Sequence, residues 1–107
     1  MQFASLALAV IGLALVTQSA QTQETGDLRK GRVLARQVCA DCHAVRRGDV
    51  RSPNSNSPSF VAIASTPGMT ATALNVFLHT SHRSMPNLIL TADQTSGIIA
   101  YILSLKK

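Results

Sequence analysis

Cys39-Ala40-Asp41-Cys42-His43 is the stretch on which the reading turns. C-x-x-C-H in this order is the attachment signature of a c-type haem. The spacing has a geometric reason. Two thiols three residues apart at a helix end reach the two vinyl groups of one porphyrin and form thioethers. His43, next in line, is then held under the iron as the proximal imidazole. Three other chemistries use the same letters. A thioredoxin-like redox pair expects a βαβ context. Half a zinc site would draw further ligands from His43, His79 or His82. A structural disulfide suits two cysteines in an oxidising compartment but leaves the adjacent His unexplained. The residue order, an all-helical pattern and an export sequence together favour haem.

Upstream of the motif, Asp27 to Val38 reads as a helix that delivers the cysteines at its end. Asp27 is an N-cap whose carboxylate can accept an orphan N–H. Gly31, Leu34, Ala35 and Val38 share one face, and Arg29, Arg32 and Arg36 share the opposite one, which makes the helix amphipathic with a basic stripe. Glycine is costly inside a helix, so Gly31 implies the close approach of another backbone.

Downstream, Ala44 to Gly68 is loop-rich, with Ser52-Pro53-Asn54-Ser55-Asn56-Ser57-Pro58-Ser59 as punctuation. Phe60 to Ala64 is a short apolar piece of a turn or two of helix. Thr70 to about His82 reads as the next helix, with Leu74, Phe77, Leu78 and Ser81 on one face. Pro86 places Met85 in a turn or extended loop. Ala92 to Leu105 is the last helix. Thr91-Ala92-Asp93-Gln94 is a capping-box pattern, Ile98, Tyr101, Ile102 and Leu105 form its apolar face, and Lys106-Lys107 complement its C-terminal dipole. No alternating strand pattern occurs, so the fold class is small and all-α.

At the outer limit lies an uneven composition. The chain has 107 residues, of which 46% are hydrophobic and 4% aromatic. Of the first 20 residues 14 are apolar, against 35 of the remaining 87. Phe3 to Val16 carries no charge and is too short to span a bilayer, but it fits the apolar region of a secretory signal, with small residues at Thr17, Ser19 and Ala20 for cleavage. Residues 1–20 are therefore read as a signal peptide, 21–26 as a flexible polar spacer and 27–107 as the folded domain, exported to the periplasm as a soluble monomer without a stable membrane span. After the signal only Phe60, Phe77 and Tyr101 are aromatic, and Trp is absent. So thin a core excludes a multidomain protein or a large enzyme with a deep pocket and calls for a staple such as a cofactor.

A second axial ligand is the next question, with Met69, His79, His82 and Met85 as candidates. Met85 is preferred. Its loop position lets the thioether approach the iron from the side opposite His43, and Pro86 fixes the backbone beside it. A His/Met pair favours Fe(II) and raises the reduction potential. Met69, just before a helix, reads as core filler. His79 and His82 read as surface or propionate-contacting residues, with His82 as the alternative ligand.

From Gly31 to Leu105 the chain resembles the small monohaem class I c-type cytochromes of the bacterial, exported kind. The glycine eight residues before Cys39, the Ile99-Ala100-Tyr101-Ile102 segment, the Pro58-Ser59-Phe60 turn and the Met85-Pro86-Asn87-Leu88 loop carry the resemblance. It implies a cytochrome c fold of three to five short helices wrapped around one covalently attached haem c. It also implies that the terminal-helix aromatic packs against the first helix near Gly31, and that the Pro58 carbonyl accepts the Nδ1–H of His43. The cofactor-binding residues are then Cys39, Cys42, His43, Met85, Pro58 and Phe60, and the iron ligands His43 and Met85. Ala35 departs from the pattern, since many members carry a large aromatic there. Pro53 is a rival to Pro58.

With both axial positions filled, such a haem passes electrons and does not bind substrate. The chain is therefore expected to be a one-electron carrier and not an enzyme. Its alternative is a haem protein with an open sixth position, a weak peroxidase or gas sensor. A third reading is a haem-free or zinc-stabilised binding module. The formal charge of +5 suggests redox partners with an acidic docking surface, met by Arg29, Arg32 and Arg36 or by Arg46, Arg47, Arg51 and Arg83. Nothing in the chain points to nucleic acid.

Overall fold

Residues 26–107 are described by a computed structural model; the signal-peptide reading lies outside them. They form four α-helices, α1 (Leu28–Val38), α2 (Phe60–Ala64), α3 (Ala71–Leu78) and α4 (Ala92–Ser104), and a 3₁₀ turn at Cys39–Asp41 that prolongs α1. Among the described residues the extended structure is a single isolated bridge between His82 and Met85. The fold is the small all-α one expected.

Each α-helix starts on a side chain that accepts an orphan backbone N–H. Asp27 accepts from Arg29 and Lys30 in α1, Ser59 from Ala62 in α2, Thr70 from Ala73 in α3 and Thr91 from Gln94 in α4. In α4 the Gln94 side chain returns a bond to the Thr91 N–H, completing the capping box.

The first and last helices cross where both are glycine. A Cβ on Gly31 would lie 1.8 Å from the Gly97 carbonyl oxygen, and one on Gly97 would lie 3.2 Å from the Gly31 nitrogen. This is the backbone approach that Gly31 implied. Ala35 is fully buried beside the crossing, so the position that departs from the family pattern belongs to the same close packing. Gly26, at the end of the polar spacer, already lies against the backbone of Ser96. The core around the crossing joins Ala35, Val45, Phe60, Ala64, Leu74, Ile98, Ile99, Tyr101, Ile102 and Leu105.

Two expectations are corrected. Helix α3 ends at Leu78 and does not run to His82, because side chains beyond it take its last carbonyls. His79 Nδ1–H donates to Asn75 at 2.7 Å, Thr80 Oγ1–H to Val76 at 2.6 Å and His82 Nε2–H to Phe77 at 2.6 Å. Side-chain donors of this kind satisfy the carbonyls that a helix leaves without partners. Phe77, expected on the buried face with Leu74, is 51% exposed, and Ser81 lies beyond the helix. The C-terminus of α4 is also held by Arg47, whose guanidinium donates to Ser104 at 2.6 Å and to Leu105 at 3.5 Å.

Candidate functional site

Cys39 opens the 3₁₀ turn, and its carbonyl accepts from the N–H of both Cys42 (3.2 Å) and His43 (2.9 Å). In a 3₁₀ turn, side chains at i and i+3 eclipse, so the tightening sets Cys39 and Cys42 on the same side. Both are half-buried free thiols. Burial pushes the Cys39 thiol from its ordinary 9.0 up to about 11.

The loop after the motif folds back and grips it. Asn54 N–H donates to the Cys42 carbonyl at 3.1 Å, and Phe60 N–H to the Ala44 carbonyl at 2.8 Å. Ser52 Oγ accepts the Ala44 N–H at 2.9 Å. Between these bonds, Nδ1 of His43 lies 2.6 Å from the Pro58 carbonyl oxygen. A carbonyl can only accept, so Nδ1 carries a proton in this bond, and Nε2 is the nitrogen left for a ligand. Pro53, in contrast, makes no such bond to His43; its neighbour Asn54 binds the motif's backbone. The His43 ring packs against Phe60 (centroids 5.5 Å apart), and Phe60 meets Tyr101 edge-on at 6.3 Å. Tyr101 Oη–H donates to the Val45 carbonyl at 2.5 Å in the buried core. Five of the six expected site residues thus lie on one continuous arrangement: Cys39, Cys42, His43, Pro58 and Phe60.

Met85 stands on a different segment. It is half-buried and lines a cavity of about 250 Å³ with Phe77, Leu78, His82 and Leu88 among its walls. Met69 packs against the hydrophobic core, as a filler would. His79 and His82 each have one ring nitrogen committed to the end of α3. Among the described residues no three His, Cys, Asp or Glu side chains are grouped to hold a metal ion, so the zinc reading lacks its ligands. None of their helices is long and apolar enough to cross a membrane.

Ser52, Asn54 and Arg47 were not singled out for these contacts by the sequence. The first two sat in a stretch legible only as loop; Arg47 was legible only as surface charge. Their local sequence carries no sign of the distant partner each one meets.

These residues fit a covalently held haem. Two unpaired thiols share one side of a turn, and the imidazole beside them is tied through Nδ1 to Pro58, which leaves Nε2 for a ligand. The protein's own core is also small, with Ile98 the largest side chain buried below 2% exposure among the described residues. Over 91 residues, covering 85% of this chain and 86% of the relative, the sequence is 33% identical to cytochrome c-552 of Bradyrhizobium diazoefficiens. No family model and no solved structure matches the chain.

Proposed function

Since the chain belongs to the small c-type cytochromes and carries covalent haem c as an electron-transfer protein, we propose that it is a dedicated one-electron carrier with His43 and Met85 as axial ligands. The observation that carries this reading is the His43–Pro58 bond, which fixes the tautomer and aims Nε2 away from the loop. An outer-shell acceptor of this kind orients a ligating imidazole and raises its basicity. Cys39 and Cys42 would each add S–H across a vinyl C=C, forming one C–S and one C–H bond with no electron lost. When bound, the group supplies an iron that alternates between Fe(III) and Fe(II).

His43 and Met85 would hold the iron between them and so leave it no place for substrate. His43 is held from one side by Pro58 and packed by Phe60. Met85 supplies a thioether, which favours the reduced state. The partners are redox proteins of the periplasm, bound briefly through the basic surface. Arg29, Arg32 and Arg36 remain on the exposed face of α1, whereas Arg47 is committed to α4. In such weak encounters charge acts mainly on the association rate.

A visible spectrum tests the assignment. The alkaline pyridine haemochrome should report a haem with two saturated vinyl positions. The ferric protein should show the weak long-wavelength band of a thioether-bound iron, and Met85→Ala should abolish it. Rapid carbon monoxide binding by the unmodified reduced protein would instead support the open-site reading.

A further inference from the structure

From His79 to Leu90 the chain has no helix, yet the part that carries Met85 is tied down at several points. His82 Nε2–H donates to the Phe77 carbonyl at 2.6 Å, and its ring lies 5.6 Å from the Phe77 ring at 38°. Met85 N–H donates back to the His82 carbonyl at 3.3 Å, closing the isolated bridge. The turn between them puts Ser84 at φ 66°, a left-handed conformation that a non-glycine residue keeps only where its surroundings impose it. On the outside, Ser81 Oγ–H donates to Asn87 Oδ1 at 2.9 Å, so the two residues flanking the turn clasp each other around Met85. Ser81, Arg83, Ser84, Pro86 and Asn87 are all exposed. Hydrogen bonds, more than burial, hold this loop.

We infer that Ser81, His82 and Asn87 are positioning residues that hold the Met85 thioether ready to ligate, so that the loop itself keeps the sixth axial position closed. The physical reason is entropic. Fixing each residue's backbone costs conformational entropy, and a loose loop of this length would draw that cost from a single iron–thioether bond. A loop already tied to the end of α3 has met most of it before ligation. His82 thereby acts through the backbone of Met85 and need not touch the iron. The inference rests on Met85 as the distal ligand.

The test titrates the ferric haem-loaded protein with imidazole, an external ligand that competes with the thioether. It compares the unmodified protein with Ser81→Ala, Asn87→Ala, His82→Ala, His82→Gln and Met85→Ala, and records thermal unfolding separately. Loss of one hydrogen bond should tighten imidazole binding by roughly 3- to 10-fold in Ser81→Ala, Asn87→Ala and His82→Ala. His82→Gln, which retains an N–H donor near the same place, should recover most of the original resistance. Ser81 and Asn87 lie on the surface, so their variants report even where His82→Ala fails to accumulate. Variants that melt earlier but bind imidazole no more tightly than the unmodified protein would overturn the inference while leaving Met85 as ligand. A Met85→Ala protein that keeps the thioether band and binds imidazole no more tightly would overturn the ligand assignment itself, and the positioning role with it.

Discussion

Gly31 shows how much one residue decides. A methyl group there would sit 1.8 Å from the oxygen and 2.2 Å from the carbon of the Gly97 carbonyl. Both atoms are backbone, so relief requires α1 and α4 to separate. Overpacking of a tight core costs about 1–3 kcal/mol and sometimes more. Gly31→Ala belongs at the upper end, near 3 kcal/mol, or a fall in melting temperature of roughly 12–24 °C for a domain of this size. Gly48→Ala is the control. Nothing lies within 4 Å of a Cβ there, and its effect should stay within about 0.5 kcal/mol. Equal melting temperatures for the two variants would show that the helix crossing relaxes without cost. The need for glycine at 31 was legible in the sequence, because a residue so poor in a helix interior has to be there for a contact. Which backbone it meets was not.

At the scale of elements, α4 is the frame on which the motif's surroundings hang. Its Tyr101 reaches Val45 and its last carbonyls receive Arg47, so three hydrogen bonds fasten the segment just beyond His43. Tyr101→Phe keeps the ring against Phe60 but leaves the buried Val45 carbonyl without this donor. An unsatisfied buried group costs about 1–3 kcal/mol, and the urea midpoint of the haem-loaded protein should fall accordingly. An unchanged midpoint would mean that water replaces the phenol without loss. Helix starts were the most legible part of the elements: Asp27 and Thr91 announce α1 and α4 through local capping chemistry that needs only three or four residues in sequence. The end of α3 was not legible. It depends on His79, Thr80 and His82 turning back onto carbonyls, and the same residues could equally have continued the apolar period that Leu74 and Leu78 began.

For the molecule as a whole the deciding quantity is the size of the protein core. A set of mostly aliphatic side chains with two aromatic rings, Phe60 and Tyr101, gathers where the helices meet, and a haem would add a large apolar surface to it. The haem-free body should therefore be largely unfolded. Cys39 supplies a direct readout in the haem-free Cys42→Ser variant. In the folded chain burial raises its thiol pKa from 9.0 to about 11. Between those values only the unfolded chain releases the proton, so stability is full below pH 9 and falls as pH rises toward 11. An unfolded haem-free chain should react with iodoacetamide with a midpoint near the ordinary value of 9.0. A midpoint near 11, together with a cooperative melt, would reveal a compact haem-free fold and show that the cofactor's share of the core is smaller than its size suggests.

By itself the sequence determined the local chemistry: the C-x-x-C-H spacing, two of the helix caps, the glycine that a crossing requires and the methionine kept out of a helix by Pro86. Each is settled within a few neighbouring residues, by the reach of a side chain or the freedom of one backbone dihedral. Tertiary structure decided the rest: that the carbonyl beside His43 belongs to Pro58, that Arg47 closes α4 and that Ser81 meets Asn87 around Met85. These pairings depend on how the loops close. A hydrogen bond between residues 15 or 57 positions apart forms only after the helices have packed and brought donor and acceptor within 3 Å or so of each other.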